Sequence, residues 1–274
     1  MAETGLEMTE SYHSKLEIVR ESLRGKKVLV AFSGGVDSST LALIARDIAD
    51  EVVLLTMDTV TFAESELEVA KRVASEIGLQ HDIEWHDWLA EGELVENPRD
   101  RCYQCKKKLA QRWIQEAKKR GLDMVIEGTT ASDVESYRPG EKALRETSVR
   151  SPLLEAGMTK DEVREIAREN GLSVSDSPSM ACLATRFPYG TRITSEKLEM
   201  VAGIENFARL HFGVKSVRAR YHGDLVRVEV GRNERSKLFD ERKLDEFQKY
   251  AADLGFTFVT IDVFGYRTGA MDES

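Results

Sequence analysis

Short apolar runs alternate with stretches of helical periodicity through the first two-thirds of the chain. Residues 27–32 (KVLVAF) and 51–57 (EVVLLTM) are brief and rich in β-branched side chains, the pattern of buried parallel strands. Between them, Leu41, Ile44, Ala45 and Ile48 fall on one face of a helix expected over 38–48. Residues 64–77 repeat the helical pattern and stop before Gly78, a C-cap position. A strand is expected at 81–85, a helix over about 105–120 ended by Gly121, and a strand at 123–127. Thr159 and Glu162 form a capping box that opens a helix running to Asn170, before Gly171. Such alternation predicts the α/β class, with a doubly wound, mostly parallel sheet.

The pattern changes at about Ser195. A helix over 196–211 is followed by a strand at 216–221, a turn at His222-Gly223-Asp224 and a strand at 225–230. A helix near 243–254 and a strand at 256–263 complete a small α+β domain with its own sheet. The expected domains are therefore 1–194 and 195–274. From Ser195 onward there are 13 Lys and Arg against 14 Asp and Glu, so this is not a basic RNA-binding appendage.

Composition narrows the class. With 41% hydrophobic and 32% charged residues and only 5 prolines among 274, the chain is neither disordered nor low in complexity. The balance of 39 cationic against 48 acidic side chains gives −9, which disfavours nucleic acid as the main partner. No segment has a signal-peptide apolar run or approaches the ~20 apolar residues of a membrane span, so a cytoplasmic location is expected.

The strongest local signal is Ser33-Gly34-Gly35-Val36-Asp37-Ser38-Ser39, lying between a strand and a helix. Two glycines allow a tight turn that brings backbone N–H groups to an anion. Ser38 and Ser39 stand at the helix start, where free amides and the helix dipole favour phosphate. The segment is neither a Walker A loop nor a dinucleotide fingerprint. It resembles the pyrophosphate loop of the ATP-pyrophosphatases, which split ATP into AMP and pyrophosphate. That resemblance implies adenine and ribose contacts at the end of the second strand, where Met57 and Asp58 stand.

Three cysteines are too few for a secreted disulfide framework. Cys102 and Cys105 lie beside Arg101, Lys106, Lys107 and Lys108, a cationic setting that favours thiolate. A redox dithiol would leave Cys182 unexplained. Structural zinc would need a fourth ligand, such as His81 or His86. An iron–sulfur cluster on three thiolates would leave one iron open. Inert buried thiols are the remaining possibility, and on spacing alone cluster and zinc stand level. Cys182 lies in a polar, proline-bearing loop and is followed by Arg186, which suits an active-site loop.

Together these segments resemble the LarE family, ATP-dependent sulfurtransferases that build the nickel-pincer nucleotide cofactor of lactate racemase. The likeness also rests on Glu127-Gly128-Thr129-Thr130 with Asp133, Tyr137-Arg138-Pro139-Gly140 and Ser151-Pro152-Leu153-Leu154. Lys160-x-x-Val163-Arg164, the loop Ala181-Cys182-Leu183-Ala184-Thr185-Arg186 and the tail Gly265-Tyr266-Arg267-Thr268-Gly269 complete it. The resemblance implies that ATP adenylates a carboxylate of pyridinium-3,5-biscarboxylic acid mononucleotide, with loss of pyrophosphate. Sulfur then displaces AMP to give a thiocarboxylate.

Family members with one cysteine sacrifice its sulfur. The additional Cys102 and Cys105 place this chain with three-cysteine members, which implies a 4Fe-4S cluster on Cys102, Cys105 and Cys182 carrying sulfide on its open iron. ATP and Mg contacts are implied at Ser33, Gly34, Gly35, Asp37, Ser38 and Ser39, with Asp37 and Cys182 catalytic. Gly128, Thr129 and Lys160 are further implied ATP contacts. Arg218 and Arg220 alternate on one strand and are implied as the clamp for the substrate phosphate; a solvated strand face is the plain alternative. Tyr103, Arg138 and Arg186 are candidate substrate contacts, and either arginine could instead hold a structural salt bridge. Glu205 is the position nearest a family glutamate at the sulfur site. The family also implies a homo-oligomer, as a hexamer. The competing functions are cluster-dependent tRNA thiolation, an amidotransferase-type synthetase and a zinc-stabilised nucleotide-binding module.

Overall fold

The computed structural model describes residues 3–134, 139–178, 181–267, 269 and 271. Its contacts divide the chain into two units: Met1–Asp58, Glu64–His86 and Asp100–Met180 form the first, and Thr59–Ala63, Asp87–Arg99 and Ala181–Ser274 the second.

The first unit is built on a parallel sheet of order β3-β2-β1-β4-β5, from Gln80–Trp85, Glu51–Asp58, Lys27–Ala31, Met124–Ile126 and Val149–Arg150. Strand alternation sends its side chains to two cores. Val28, Val30 and Leu54 join helices α1 (Glu3–Leu23), α2 (Val36–Ile48), α3 (Glu64–Ile77) and, further along the chain, α5 (Lys160–Glu169). Leu29, Val53 and Leu55 meet Ala110, Trp113 and Ala117 of α4 (Arg101–Lys119) on the other face. The sheet is thus covered on both sides, as a doubly wound α/β fold requires. Strand order grows one way from β1 to β3 and then reverses to β4 and β5. The crevice beside the carboxyl end of β1 is therefore the topological switch point, where such sheets bind ligands.

The sequence pattern starts the fourth helix near residue 105, whereas α4 begins at Arg101 and contains both Cys102 and Cys105. Its first turns are polar, so no apolar stripe announces them; the buried positions begin only at Ala110. Asp100 opens the helix by accepting the Gln104 amide at 3.0 Å.

In the second unit, β6 (Val217–His222) pairs antiparallel with β7 (Leu225–Val230), which pairs parallel with β8 (Phe258–Ile261). Val217, Ala219, Val226 and Val228 are fully buried. Helix α6 (Ser195–Phe212) meets α7 (Glu241–Asp253) through Phe207 and Phe247, stacked at 5.2 Å. Arg218, Arg220, Arg227 and Glu229 take the alternate positions on β6 and β7. The second unit also takes in two stretches that precede Cys102 in the chain. The Leu183 amide donates to Thr61 O at 2.9 Å, Gly190 to Asn97 O at 2.9 Å and Ile193 to Val95 O at 2.7 Å.

Candidate functional site

The turn after β1 is shaped by contact as well as by conformation. Gly34 has φ +75°, and a Cβ there would lie 2.5 Å from the Ala70 Cα, so only glycine fits. Ser33 Oγ accepts the Gly35 amide at 3.3 Å, and Ser38 Oγ donates to Gly35 O at 3.2 Å. Helix α2 then starts with no side-chain cap, which leaves its first amides to be satisfied from outside the helix. Within the same turns, Asp37 Oδ1 and Ser39 Oγ are buried with no hydrogen-bond partner among the described residues. Buried polar atoms are normally paired. Two orphans at a helix start make a cradle of the kind that a phosphate and its cation would satisfy.

Three elements close around this cradle. Lys160, the first residue of α5, forms an ion pair with Asp37 Oδ2. Its helix is held by the complete Thr159–Glu162 capping box, and its amide donates to Ser132 Oγ at 3.0 Å. Burial pushes the Asp37 carboxyl above its ordinary value, with Lys160 pulling the other way. After β4, Gly128 approaches so closely that a Cβ would lie 2.8 Å from the Ser38 nitrogen. Glu127 fixes that approach: it accepts the Thr129 amide at 3.1 Å and the Thr129 hydroxyl at 2.8 Å, along with the Ser151 hydroxyl. Thr130 donates its amide and hydroxyl to Asp133 Oδ2, both at 2.9 Å.

Met57 and Asp58 end β2 on the same carboxyl edge. Thr56 Oγ1 donates to Phe32 O at 2.7 Å and lies 2.8 Å from His81 Nε2. His81 is thus engaged inside the sheet.

Cys102 and Cys105 are half-buried, form no disulfide and lie one turn apart on α4. Arg101 is buried, and its Nη2 lies 3.5 Å from Cys102 Sγ. Lys106 reaches toward Glu127 Oε2 at 3.7 Å, tying this helix to the loop after β4. The Tyr103 hydroxyl donates to Glu146 at 2.5 Å, and the Lys107 and Lys142 ammonium groups lie 5.2 and 5.5 Å from its ring centre.

Cys182 is a free, exposed thiol in the second unit. Arg186 is 2% exposed. It grips Glu205 through Nε at 2.6 Å and Nη2 at 3.1 Å, and its Nη1 reaches Ala181 O, Cys182 O and Thr185 Oγ1 at 3.0, 3.2 and 2.9 Å. The expected anion contact at Arg186 thus meets a group engaged in holding its own loop. Glu205 further accepts the Ala219 amide and Arg209 Nη2, both at 3.0 Å. Its carboxyl lies below the ordinary range because the surrounding arginines outweigh its burial.

Arg218 and Arg220 are also buried. Arg220 forks onto Glu229 Oε2 at 3.0 and 2.8 Å, and Arg218 lies 5.0 Å from the Tyr266 ring centre. Burial, and then the charge of Arg186, pull the Arg218 guanidinium below its ordinary value. Among the described residues, no group of three or more His, Cys, Asp or Glu side chains is gathered as a metal site. Arg138, Tyr137 and Thr268 lie outside the described residues. The Asn97 contacts carry no sequence signal beyond an Asn-Pro pair.

A family profile described as queuosine biosynthesis protein QueC matches residues 27–97, which contain the phosphate loop. The pyridinium-3,5-bisthiocarboxylic acid mononucleotide synthase of Lactiplantibacillus plantarum is 33% identical over 253 residues, covering 91% of this chain and 90% of its own. The chain belongs to the LarE family. Among its other relatives, an uncharacterized Synechocystis protein is 36% identical over 261 residues, 94% of this chain and 97% of its own. A component of the glutamine-hydrolyzing GMP synthase of Methanoregula boonei is 31% identical over 178 residues, only 60% of this chain and 57% of its own. LarE likeness therefore runs through both units, whereas the likeness to the GMP synthase component is partial.

Proposed function

We propose that this chain is an ATP-dependent sulfurtransferase acting on a pyridinium-3,5-dicarboxylate mononucleotide. The observation that carries the reading is the likeness to the Lactiplantibacillus synthase over 91% of the chain; the glycine turn, with buried Asp37 Oδ1 and Ser39 Oγ unpaired among the described residues, supports it. A free carboxylate is a poor electrophile, and adenylation turns one of its oxygens into part of a leaving group. In this reading, the amides opening α2, together with Ser33, Ser38 and Ser39, hold the ATP phosphates. Met57 and Asp58 bound the adenosine, while Gly128 and Thr129 line the opposite side. Lys160 leaves Asp37 for the phosphates as they bind, which frees the carboxylate for Mg, a cation that takes oxygen ligands. Pyrophosphate departs from the substrate-bound α-phosphorus, and AMP departs when sulfur attacks the acyl carbon.

Arg218 and Arg220 supply the anchor for the substrate phosphate. Around them, among the described residues, Arg186, Arg209 and Arg227 join the same layer, whose planar guanidinium donors suit a phosphate. Tyr103 remains the proposed neighbour of the pyridinium ring. Arg186 and Glu205 hold the Cys182 loop; a carboxylate accepting four hydrogen bonds, with its pKa lowered, is a poor proton acceptor.

Cys102, Cys105 and Cys182 form no disulfide and belong to the soft donor class that holds iron–sulfur clusters; they are the proposed ligands of a 4Fe-4S cluster. When bound, the cluster supplies the sulfide for transfer.

The test is an anaerobic turnover assay on iron-reconstituted protein with Mg-ATP, sulfide and the dicarboxylate mononucleotide. More than one sulfur transferred per chain, with Cys182 intact, supports cluster-borne sulfide. A yield capped at one, with Cys182 converted to dehydroalanine, supports sacrifice of that thiol. Absence of both pyrophosphate and thiocarboxylate overturns the reading.

A further inference from the structure

Cys182 is exposed, yet the backbone around it is gripped from several directions. Arg186 and the Thr185 hydroxyl both donate to its carbonyl, at 3.2 and 2.8 Å. The next amide, Leu183, donates to Thr61 O at 2.9 Å. A short 3-10 turn over Leu183–Arg186 then leads to Phe187, whose carbonyl accepts Asn97 Nδ2 at 3.3 Å. The same Nδ2 donates to Pro188 O at 2.7 Å, and Asn97 O accepts the Gly190 amide at 2.9 Å. Arg99 continues the grip, its guanidinium carbon 5.5 Å from the Tyr189 ring centre.

Asn97 makes these contacts in a conformation that disfavours most side chains. It is fully buried, and its φ of 55° is the sole positive value at a non-glycine position among the described residues. Asparagine tolerates the left-handed region better than most residues. Strain held inside a packed structure points to a constraint imposed by geometry. Here the left-handed turn aims a backbone carbonyl and a side-chain amide at the same loop. An amide is needed: a carboxylate of the same size would oppose its oxygens to the Phe187 and Pro188 carbonyls. The gripping stretch runs straight on through Asp100 into the helix of Cys102 and Cys105.

We propose that Asn97 is a positioning residue for sulfur delivery, fixing the backbone that presents the Cys182 thiol while touching neither substrate nor ATP. This rests on the reading of Cys182 as part of the sulfur-transfer site. Its signature is a split between the two half-reactions. Adenylation draws on the phosphate cradle and the Arg218–Arg220 anchor, and the loop positions that Asn97 grips, 187, 188 and 190, belong to neither, so substrate-dependent pyrophosphate release and the KM for ATP stay unchanged. Sulfur delivery needs a placed thiol, and misplacement by about 1 Å lowers transfer by up to about 100-fold.

The experiment compares Asn97→Gly, which keeps the left-handed turn but deletes the amide, with Asn97→Asp, which keeps the size but reverses the polarity. In both, thiocarboxylate formation should fall about 10–100-fold at constant pyrophosphate release, with Asn97→Asp the more severe. Equal loss of both half-reactions, or of neither, overturns the proposal.

A second readout does not depend on the assigned chemistry. Iodoacetamide labelling of Cys182, followed by mass spectrometry, should change in Asn97→Gly while Cys102 and Cys105 keep their rates. Unchanged Cys182 labelling overturns positioning even if the wild-type chain makes no thiocarboxylate, an outcome that by itself would count against the sulfurtransferase reading. Should both variants fail to fold, hydrogen exchange on the wild-type protein decides. Slow Leu183 and Gly190 amides support the clamp, and rates equal to those of open loops overturn it.

Discussion

The phosphate cradle and the arginine layer both bury charge, and they do so in opposite ways. In the cradle, Asp37 has one oxygen paired with Lys160 and the other without a partner among the described residues, and Ser39 Oγ is likewise unpartnered among them. In the arginine layer, Glu205 accepts four donors and Glu229 is held by Arg220 and Arg227. The two carboxyls are driven apart: burial pushes Asp37 upward, whereas the arginines around Glu205 outweigh its burial and hold it below the ordinary range. The first arrangement is costly until something binds. In the second, Glu205 and Glu229 are each already paired with arginine. A buried polar group left short of partners marks where chemistry is to be supplied; one fully paired marks what holds the site in shape.

That contrast can be broken by substitution. Asp37→Asn should lower pyrophosphate formation by about 100–1,000-fold, the range for removing a group that stabilises developing charge, while the melting temperature holds. A matching fall in melting temperature would show that Asp37 is scaffold after all. Glu205→Ala should do the reverse: about 3–5 kcal/mol of stability is lost, as when one partner of a buried ion pair is removed, measured by urea unfolding.

The pH dependences sharpen the point, because the signs are opposite. Glu205 has a depressed folded pKa, so its contribution is fully present above the unfolded carboxylate value and disappears as pH falls through the folded one. Asp37 has a raised folded pKa, so its contribution is present below the unfolded value and disappears as pH rises through the folded one. Acid unfolding of the Glu205 variant should accordingly be flatter than that of the wild type. The smallest effect is expected from Arg218→Lys, which keeps the charge but loses the planar fork. The KM for the mononucleotide should rise about 10-fold or more, as loss of a charged hydrogen bond predicts, with the KM for ATP unmoved.

Much of the first unit was legible because its elements obey simple periods. β1 and β2 are short apolar runs, and the Thr159–Glu162 capping box is present as the residue pattern predicts. The glycine turn could be read as a phosphate loop, but the demand at Gly128 could not, since its neighbour Ser38 is distant in sequence. The start of α4 was hidden because Cys102, Tyr103 and Gln104 give no apolar stripe. Periodicity could place Arg218 and Arg220 on one face of a strand, yet it could not say that this face is buried or that Glu229 waits opposite. Asn97 was the least visible, because backbone-directed contacts from an isolated asparagine leave no pattern of residue types.

The second unit also has an order of assembly written into it. Two of its pieces, Thr59–Ala63 and Asp87–Arg99, leave the ribosome long before the stretch that begins at Ala181. Until then Val95 and Asn97 have no Ile193 or Gly190 to receive, and Thr61 has no Leu183. Domains generally mature as units during synthesis, but this one cannot close until the C-terminal third of the chain has been made. The sulfur-bearing loop is thus the late-arriving half of a clasp whose other half has been waiting in the nascent chain.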